Sequence, residues 1–114
     1  MRKEEMRRPM TQAARQPARR DRTLPRFVLR LYIRGFGPKM ILAQENLRAF
    51  CDRYLAERHE IEIVDIDFEP GRAGADDIIA VPTLVRVAPG PVRRLVGDFS
   101  NLARLSQALD LPLP

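Results

Sequence analysis

The segment that most constrains the fold is 79–84, where a proline stands directly before a strand-like run. Proline has no N–H to donate to a sheet ladder, so Pro82 belongs at the first residue of a strand, at a sheet edge or at a bulge. Only about 5–6% of X–Pro bonds in folded proteins are cis, so a cis bond at Pro82 has to be argued from its position. Gly97 and Asp98 follow in a turn-like pair, and we expect them to end the next strand.

The charge of the chain is unevenly distributed. The whole chain carries +5, and residues 1–23 alone hold eight basic and three acidic side chains. The remaining 91 residues carry twelve side chains of each sign. The high isoelectric point therefore belongs to the N-terminal segment, and a basic surface for nucleic acid over the whole body is not expected.

Residues 1–25 combine scattered charge with Pro9, Pro17 and Pro25, and contain almost no branched apolar residue. Such a segment cannot bury enough surface to offset its ordering entropy, which predicts a disordered Arg/Pro-rich tail. Three alternatives stay open for this segment. The translation start could lie at Met6 or Met10 instead of Met1, the arginines could form an arm that contacts an acidic partner or nucleic acid, or the segment could be an organellar transit peptide. No run has the length of a membrane span, and no secretory signal is evident, so a cytoplasmic protein without a membrane partner is expected.

Hydrophobic patterning in the first half of the chain predicts a strand, a long helix and a second strand. Residues 26–34 are a nearly continuous apolar run, which is typical of an interior strand buried on both faces. In residues 61–68, Ile61 and Ile63 point to one face and Val64, Ile66 and Phe68 to the other, which again predicts an interior strand. Residues 39–58 lie between them and predict an amphipathic helix, since Ala43, Leu47, Phe50 and Tyr54 form one apolar stripe. A strand-helix-strand unit of this kind implies a right-handed parallel crossover.

The second half predicts a short helix around residues 76–79, a hairpin of strands 83–87 and 92–96, and a last helix capped by Ser100. The resulting order, β-α-β-α-β-β-α, is that of a thioredoxin-like α/β fold, with a mixed four-stranded sheet and helices on both faces. In such folds the third strand commonly begins with a cis X–Pro bond, which we expect at Pro82.

Residue types suited to catalysis are sparse. In thioredoxin-like redox proteins the turn after the first strand carries two cysteines, and the helix N-terminus favours the thiolate. Here that turn is Gly35-Phe36-Gly37-Pro38. The single cysteine, Cys51, is expected to be a small buried residue, and His59 an exposed linker residue. We therefore predict no enzyme activity and no cofactor.

Two other kinds of site are weakly indicated. Asp65, Asp67 and Glu69 alternate along the predicted second strand and could suggest a hard-metal site, but carboxylates at the polar end of a strand are commoner, and we predict no metal. The tyrosines and all five phenylalanines are expected in the core, which leaves no stacking platform for RNA.

Residues 27–111 resemble the KaiB family of circadian clock proteins. The most specific of the matching blocks is the one that contains the two adjacent arginines. The blocks are Leu29-Arg30-Leu31-Tyr32-Ile33-x-Gly35-x-x-Pro38, Ile63-Val64-Asp65-Ile66, Ile78-x-Ala80-x-Pro82-Thr83-Leu84, Pro89-x-Pro91-Val92-Arg93-Arg94-Leu95-x-Gly97-Asp98-x-Ser100 and Ala108-Leu109-Asp110-Leu111. The resemblance assigns residues 26–114 to a KaiB-like domain.

The resemblance implies a non-enzymatic clock or regulatory component that binds a KaiC-like ATPase and modulates its phosphorylation or signalling state. Family members also oppose the activator KaiA and compete with a clock-output histidine kinase. They exchange a thioredoxin-like monomer for a second packing that forms tetramers, which requires two states within a few kcal/mol of each other. A homo-oligomer, either a tetramer or a dimer, is therefore among the implied states.

The resemblance also suggests site residues. Arg93 and Arg94 are implied partner contacts, although they could equally be a solvated edge that blunts aggregation. Glu62 and Asp77 stand where better-known members carry basic residues, and a reversed charge at a contact can select another partner.

Structural roles are expected for Pro82, Gly35, Gly97 and Asp98. The alternative function is a thioredoxin-like sensor or adaptor module of a two-component histidine kinase system.

Overall fold

The computed structural model describes residues 25–111, which form one mixed sheet with three helices. The strands lie in the order β2-β1-β3-β4; β1 pairs parallel with β2 and antiparallel with β3, and β4 pairs antiparallel with β3. The predicted α/β architecture is confirmed. The elements are β1 (Phe27–Ile33), α1 (Pro38–Tyr54), β2 (His59–Asp65), α2 (Pro70–Ala75), β3 (Thr83–Ala88), β4 (Arg93–Val96) and α3 (Leu102–Ala108).

The predicted tail lies, except for Pro25, outside the described residues. The domain boundary at residues 25 and 26 therefore stays a prediction.

The larger hydrophobic core lies between one face of the sheet and helices α1 and α3. Alternate residues of β1, including Leu29 and Leu31, pack there with Leu47 of α1 and Leu105 of α3. These four side chains are fully buried. Since burying one such side chain stabilises a fold by about 1.5–3 kcal/mol, this face supplies most of the apolar stabilisation.

The opposite face carries a smaller cluster under α2. Its fully buried members are Tyr32, Val64 and Val85. Ala73 of α2 and Ile78 just after it pack against them, and we call residues 70–78 the α2 segment. No residue within α2 is fully buried. Apolar packing alone therefore attaches α2 to the sheet only weakly.

The prediction of an interior second strand over residues 61–68 is wrong in both position and length. β2 lies at the edge of the sheet, and Val64 is its only fully buried residue. The strand ends at Asp65, whose carboxylate accepts the backbone N–H of Asp67 at 2.9 Å. Aspartate commonly forms such turns, so the chain leaves the sheet three residues before the predicted end.

The helix boundaries also differ from the predictions. α1 ends at Tyr54 rather than at residue 58, and Glu57 beyond it has a φ of 63°. α2 lies before residues 76–79, because Pro70 starts it at the first helical position and the chain leaves the helix at Asp76.

The residues that flank α1 and α3 differ from expectation as well. Asn101 is the N-cap of α3 instead of Ser100, and its side chain accepts the N–H of Arg104 at 3.1 Å. His59 is a half-buried residue of β2 rather than an exposed linker, and its Nδ1 lies 2.7 Å from the carbonyl oxygen of Leu55.

Of the residues with predicted structural roles, Pro82 lies directly before β3, Gly97 and Asp98 directly after β4, and Gly35 in the turn after β1. The Val81–Pro82 bond is cis, as expected, and the carbonyl oxygen of Pro82 accepts the N–H of Gly97 at 3.1 Å. Gly97 has a φ of 138° and Gly35 has a φ of 67°, both in the region that favours glycine. Asp98 accepts the N–H of Ser100 at 3.0 Å. A hydrogen bond from the Ser100 side chain and, second, the one from its N–H lower the pKa of the Asp98 carboxyl.

Candidate partner-binding surfaces

The turn between β1 and α1 carries no thiol. The only cysteine, Cys51, is fully buried inside α1, and burial raises the pKa of its thiol to about 12. A thiol with so high a pKa is protonated at physiological pH and is a poor nucleophile. The β1–α1 turn, which carries the cysteine pair in thioredoxin-like redox proteins, holds an exposed aromatic residue here, Phe36.

Three large apolar side chains are exposed at one end of the sheet, and we call this surface the apolar end. Phe36 is 71% exposed, Phe68 is 81% exposed and Ile79 is 97% exposed. They lie in the β1–α1, β2–α2 and α2–β3 loops. These loops lie at the same end because β1 and β2 finish there and antiparallel β3 begins there. Large apolar side chains exposed at one end of a domain mark a candidate surface for contact with another macromolecule.

A cavity of about 330 Å³ opens at the apolar end. Its lining residues come from the end of β1 and from the loops on either side of α2. They are Arg34, Ile66, Ile78, Ile79, Ala80 and Val81. The Nε of Arg34 donates to Oδ1 of Asp67 at 3.0 Å, so an ion pair lies beside the apolar lining. The Oδ2 of Asp65 accepts the N–H of Gly35 at 3.1 Å and joins the β1–α1 turn to β2.

A network of charged side chains holds α2 against the sheet, and we call it the α2 charge network. Arg72 donates from both terminal nitrogens to Glu62, at 2.6 and 2.7 Å. Arg30 donates from Nε to Glu62 at 3.0 Å and from Nη1 to Asp76 at 2.8 Å. Tyr32 donates its hydroxyl to Asp76 as well. The network therefore joins β1 and β2 to the α2 segment.

The network fixes the ionisation of its acidic members. The guanidinium groups of Arg72 and, second, Arg30 lower the pKa of Glu62 to about 2. Burial opposes ionisation of Asp76, but hydrogen bonds from Tyr32 and Arg30 outweigh it and lower the pKa of this carboxyl. Burial, together with the bond to Asp76, raises the pKa of Tyr32. Both carboxylates are thus charged at physiological pH.

The two predicted arginines lie on opposite faces of the sheet, since they are neighbours on edge strand β4. Arg94 points to the α2 side and donates from Nε to the carbonyl oxygen of Asp76 at 2.9 Å. Arg93 points to the α3 side, where its Nη2 lies 3.6 Å from Oδ2 of Asp110. They cannot form one flat basic patch.

The two predicted acidic residues, Glu62 and Asp77, lie on the same side of the sheet as Arg94. Glu62 is a member of the α2 charge network. Asp77 is exposed directly after Asp76 and has a φ of 57°. The structure therefore brings Glu62, Asp77 and Arg94 together around α2 and separates them from Arg93.

The three carboxylates at the end of β2 are used within the fold. Asp65 accepts backbone N–H groups, Asp67 pairs with Arg34, and Glu69 pairs with Arg72 at 3.3 Å. Among residues 25–111, no group of three or more histidine, cysteine, aspartate or glutamate side chains is arranged to hold a metal ion. Nor does any helix in that range have the length and apolar character needed to cross a membrane.

The apolar end is what the sequence reasoning missed, because it placed all five phenylalanines in the core. The prediction is wrong for Phe36 and Phe68. A local signal did exist, since Phe36 stands between two glycines in a turn and Phe68 stands between two acidic residues. Phe36 belongs to no apolar stripe, and Phe68 lies beyond the end of β2 at Asp65.

The fold, together with a β1–α1 turn that has no cysteine, defines a class of protein: thioredoxin-like domains without the redox cysteine pair. Mitochondrial thioredoxin 3 of Saccharomyces cerevisiae has a similar fold, with a TM-score of 0.62 at 18% identity over 77% of this chain and 81% of that chain. The N-terminal domain of SasA from Synechococcus elongatus also superposes, with a TM-score of 0.56 at 19% identity over 75% of this chain and 85% of that chain.

The chain belongs to the KaiB family. The family model described as the KaiB domain matches residues 30–111. The circadian clock protein KaiB3 of a Synechocystis species is 36% identical over 86 residues, which are 75% of this chain and 84% of that protein. The circadian clock oscillator protein KaiB of Thermosynechococcus vestitus is 35% identical over 85 residues, 75% of this chain and 79% of that protein. The resemblance seen in the sequence is confirmed.

Proposed function

We propose that this protein is a non-enzymatic regulatory component that binds a KaiC-like ATPase and modulates the phosphorylation or signalling state of that ATPase. The observation that carries the proposal is the apolar end of a KaiB-family chain, which includes Phe36 in the turn where redox thioredoxins have their cysteines. Its relatives are named as clock proteins, and the similarity extends over most of this chain and most of each relative. The proposal places the protein and its partner in the cytoplasm.

The apolar end supplies the contact area in this proposal. Phe36, Phe68 and Ile79 are large side chains that water already surrounds, so covering them on binding removes apolar surface without disturbing the core. Arg34 and Asp67 lie beside them and can pair with polar groups at the rim of an interface.

The charged residues around β4 and α2 supply specificity. We assign partner contacts to Arg93 and Arg94 on β4 and to Asp77 beside α2. Glu62 acts in the same surface through its two arginines, because it keeps Arg30 and Arg72 in place. The exposed acidic charge of Asp77 favours a partner surface that presents basic groups there.

The proposal includes a second folded state, in which the same chain packs differently and forms a homo-oligomer. Within the half of the chain after β2, α2 is joined to the sheet largely through the α2 charge network and has no fully buried residue. A segment attached in this way can leave the sheet at a smaller cost than α1 can. Gel filtration over a wide concentration range tests this part, since a tetramer or dimer must dissociate on dilution.

Binding of the full-length protein to the KaiC-like ATPase of the same genome tests the proposed function. Phe36→Ser and Ile79→Ser are each expected to weaken binding about tenfold or more, as interface anchors do. Leu102→Ser is the matched control, because Leu102 is a half-exposed apolar residue at the start of α3.

If the wild-type protein does not bind the ATPase, the proposed function is wrong. Binding to a histidine kinase instead would establish the alternative of a sensor or adaptor module. The phosphorylation state of the ATPase, followed with and without the protein, tests the regulatory part separately.

A further inference from the structure

Arg86 is a buried arginine on the α3 side of the sheet, and neither the predicted site nor the α2 charge network uses it. Its side chain is 2% exposed. Nη1 donates to Oδ2 of Asp110 at 2.9 Å, and Nη2 donates to the carbonyl oxygen of Pro91 at 2.9 Å. Its Nε has no hydrogen-bond partner among the described residues. A buried guanidinium is costly unless it is paired, so Asp110 is its counter-charge.

Arg86 lies directly opposite Arg93 in the register of β3 and β4. Like charges in opposed positions destabilise a strand pair, and Asp110 relieves this repulsion because one oxygen, Oδ2, faces both guanidinium groups. The contact with Arg86 has hydrogen-bond length, whereas Arg93 lies at 3.6 Å. Asp110 is therefore bonded to Arg86 and only adjacent to Arg93, and the three groups carry one net positive charge.

We infer that Arg93 is a receptor for a carboxylate on the protein partner, and that Arg86 is the positioning residue that keeps Arg93 available. This inference rests on the proposed function and names the chemistry recognised at Arg93. Arg93 is 44% exposed and offers a planar fork suited to a carboxylate. Without Arg86, Asp110 would turn to Arg93 and compete with the partner. With Arg86, the charge of Asp110 is already neutralised.

The inference predicts a specific pattern of variants. Arg86→Gln leaves Asp110 with Arg93 alone and is expected to weaken carboxylate binding at Arg93 about fivefold. Arg86→Lys keeps the charge and is expected to bind like the wild type. The double variant Arg86→Gln/Asp110→Asn removes the competitor together with its counter-charge and is expected to restore binding. A residue that merely supported the fold would not be rescued by a second substitution.

The test follows the side-chain Nε–H of Arg93 by NMR in the full-length protein while a glutamate-only peptide is added at low salt. Detection at this one side chain separates Arg93 from the basic residues elsewhere in the chain. Arg104→Gln, at an exposed position of α3, is the control and should leave the titration unchanged. Thermal melts of every variant report whether it is folded.

Weaker binding by Arg86→Gln with recovery in the double variant supports the inference. Equal weakening in both, or a wild-type Arg93 signal that does not respond to the peptide, overturns it. If Arg86→Gln does not fold, Arg86→Lys and the double variant decide: binding like the wild type by both supports the inference, and weak binding by either overturns it. A parallel titration with the KaiC-like ATPase tests the proposed function by itself, since that can fail while the peptide still binds Arg93.

Discussion

The two faces of the sheet are held by different forces. On one face, α1 buries Ala43, Leu47, Phe50 and Cys51 against an aliphatic core. On the other face, α2 buries none of its own residues fully and is joined to the sheet by Arg30, Glu62, Arg72 and Asp76. Apolar burial responds little to salt or acid, whereas partly exposed ion pairs respond to both. The α2 side is therefore the face that solution conditions and partners can loosen.

This difference also separates what is rigid from what is available for binding. The α1 face positions the β1–α1 turn and so presents Phe36. The α2 face carries Ile79, Asp77 and Arg94 on or beside a segment with weaker attachment. Substitutions on the α1 face should therefore lower the free energy of unfolding independently of salt, and substitutions in the α2 charge network should lower it in a way that depends on salt.

The largest expected effect is on the α1 face. Leu47→Ala removes a fully buried side chain and is expected to lower the free energy of unfolding by about 2–5 kcal/mol. The loss should be the same at low and at high salt. Urea unfolding at the two salt concentrations measures it, and a strong salt dependence would break the comparison between the faces.

An intermediate effect is expected on the α2 face. Asp76→Asn removes the carboxylate that accepts from Tyr32 and Arg30, and should cost about 1–3 kcal/mol of unfolding free energy. High salt should reduce this loss, because it screens the charges that the wild type uses. Asp77→Asn is the matched control, since Asp77 is the next residue and is exposed, and it should change stability by less than about 0.5 kcal/mol. Equal losses from the two variants would contradict the role of the α2 charge network.

A smaller effect with a defined pH window is expected for Glu62→Gln. The folded-state pKa of Glu62 is lowered from 4.5 to about 2, so its contribution is fully present above 4.5 and is lost as the pH falls through about 2. Glu62 is about half exposed, so at neutral pH the variant should lose no more than about 1 kcal/mol. Melting temperatures of wild type and variant should converge towards the acid end of that window. A constant difference down to the lowest pH would show that Glu62 acts in another way.

The smallest expected effect is on the reactivity of Cys51. Its thiol is buried in the α1 core with a pKa of about 12, so a thiol reagent should modify it only when the whole domain unfolds. High salt, which weakens the α2 charge network, should not speed this modification. Faster labelling at high salt would mean that the two faces open together.

The sequence predicted the parts of the fold that depend on apolar periodicity and backbone restrictions. The α1 stripe, the β3–β4 hairpin and the position of Pro82 follow from such local rules. The edge position of β2 could not be read from the sequence, because its apolar residues resemble those of an interior strand. Which strand ends the sheet is decided by tertiary pairing.

The candidate site was predicted only in part. The resemblance supplied Arg93 and Arg94, but their placement on opposite faces follows from strand geometry and the position of β4. The exposure of Phe36 and Phe68 was missed because hydrophobicity alone was taken as burial. The role of Arg86 depends on the approach of Asp110 from the end of α3, a contact between residues 24 positions apart that no local pattern encodes.

The most direct test of the central claim is hydrogen exchange of the full-length protein with and without the KaiC-like ATPase. Slower exchange is predicted in the loops that carry Phe36, Phe68 and Ile79 and along β4, while the solvent-facing side of α1 should be unchanged. Slower exchange confined to α1, or no change anywhere on addition of the ATPase, would contradict the claim that this thioredoxin-like chain works by binding through its apolar end.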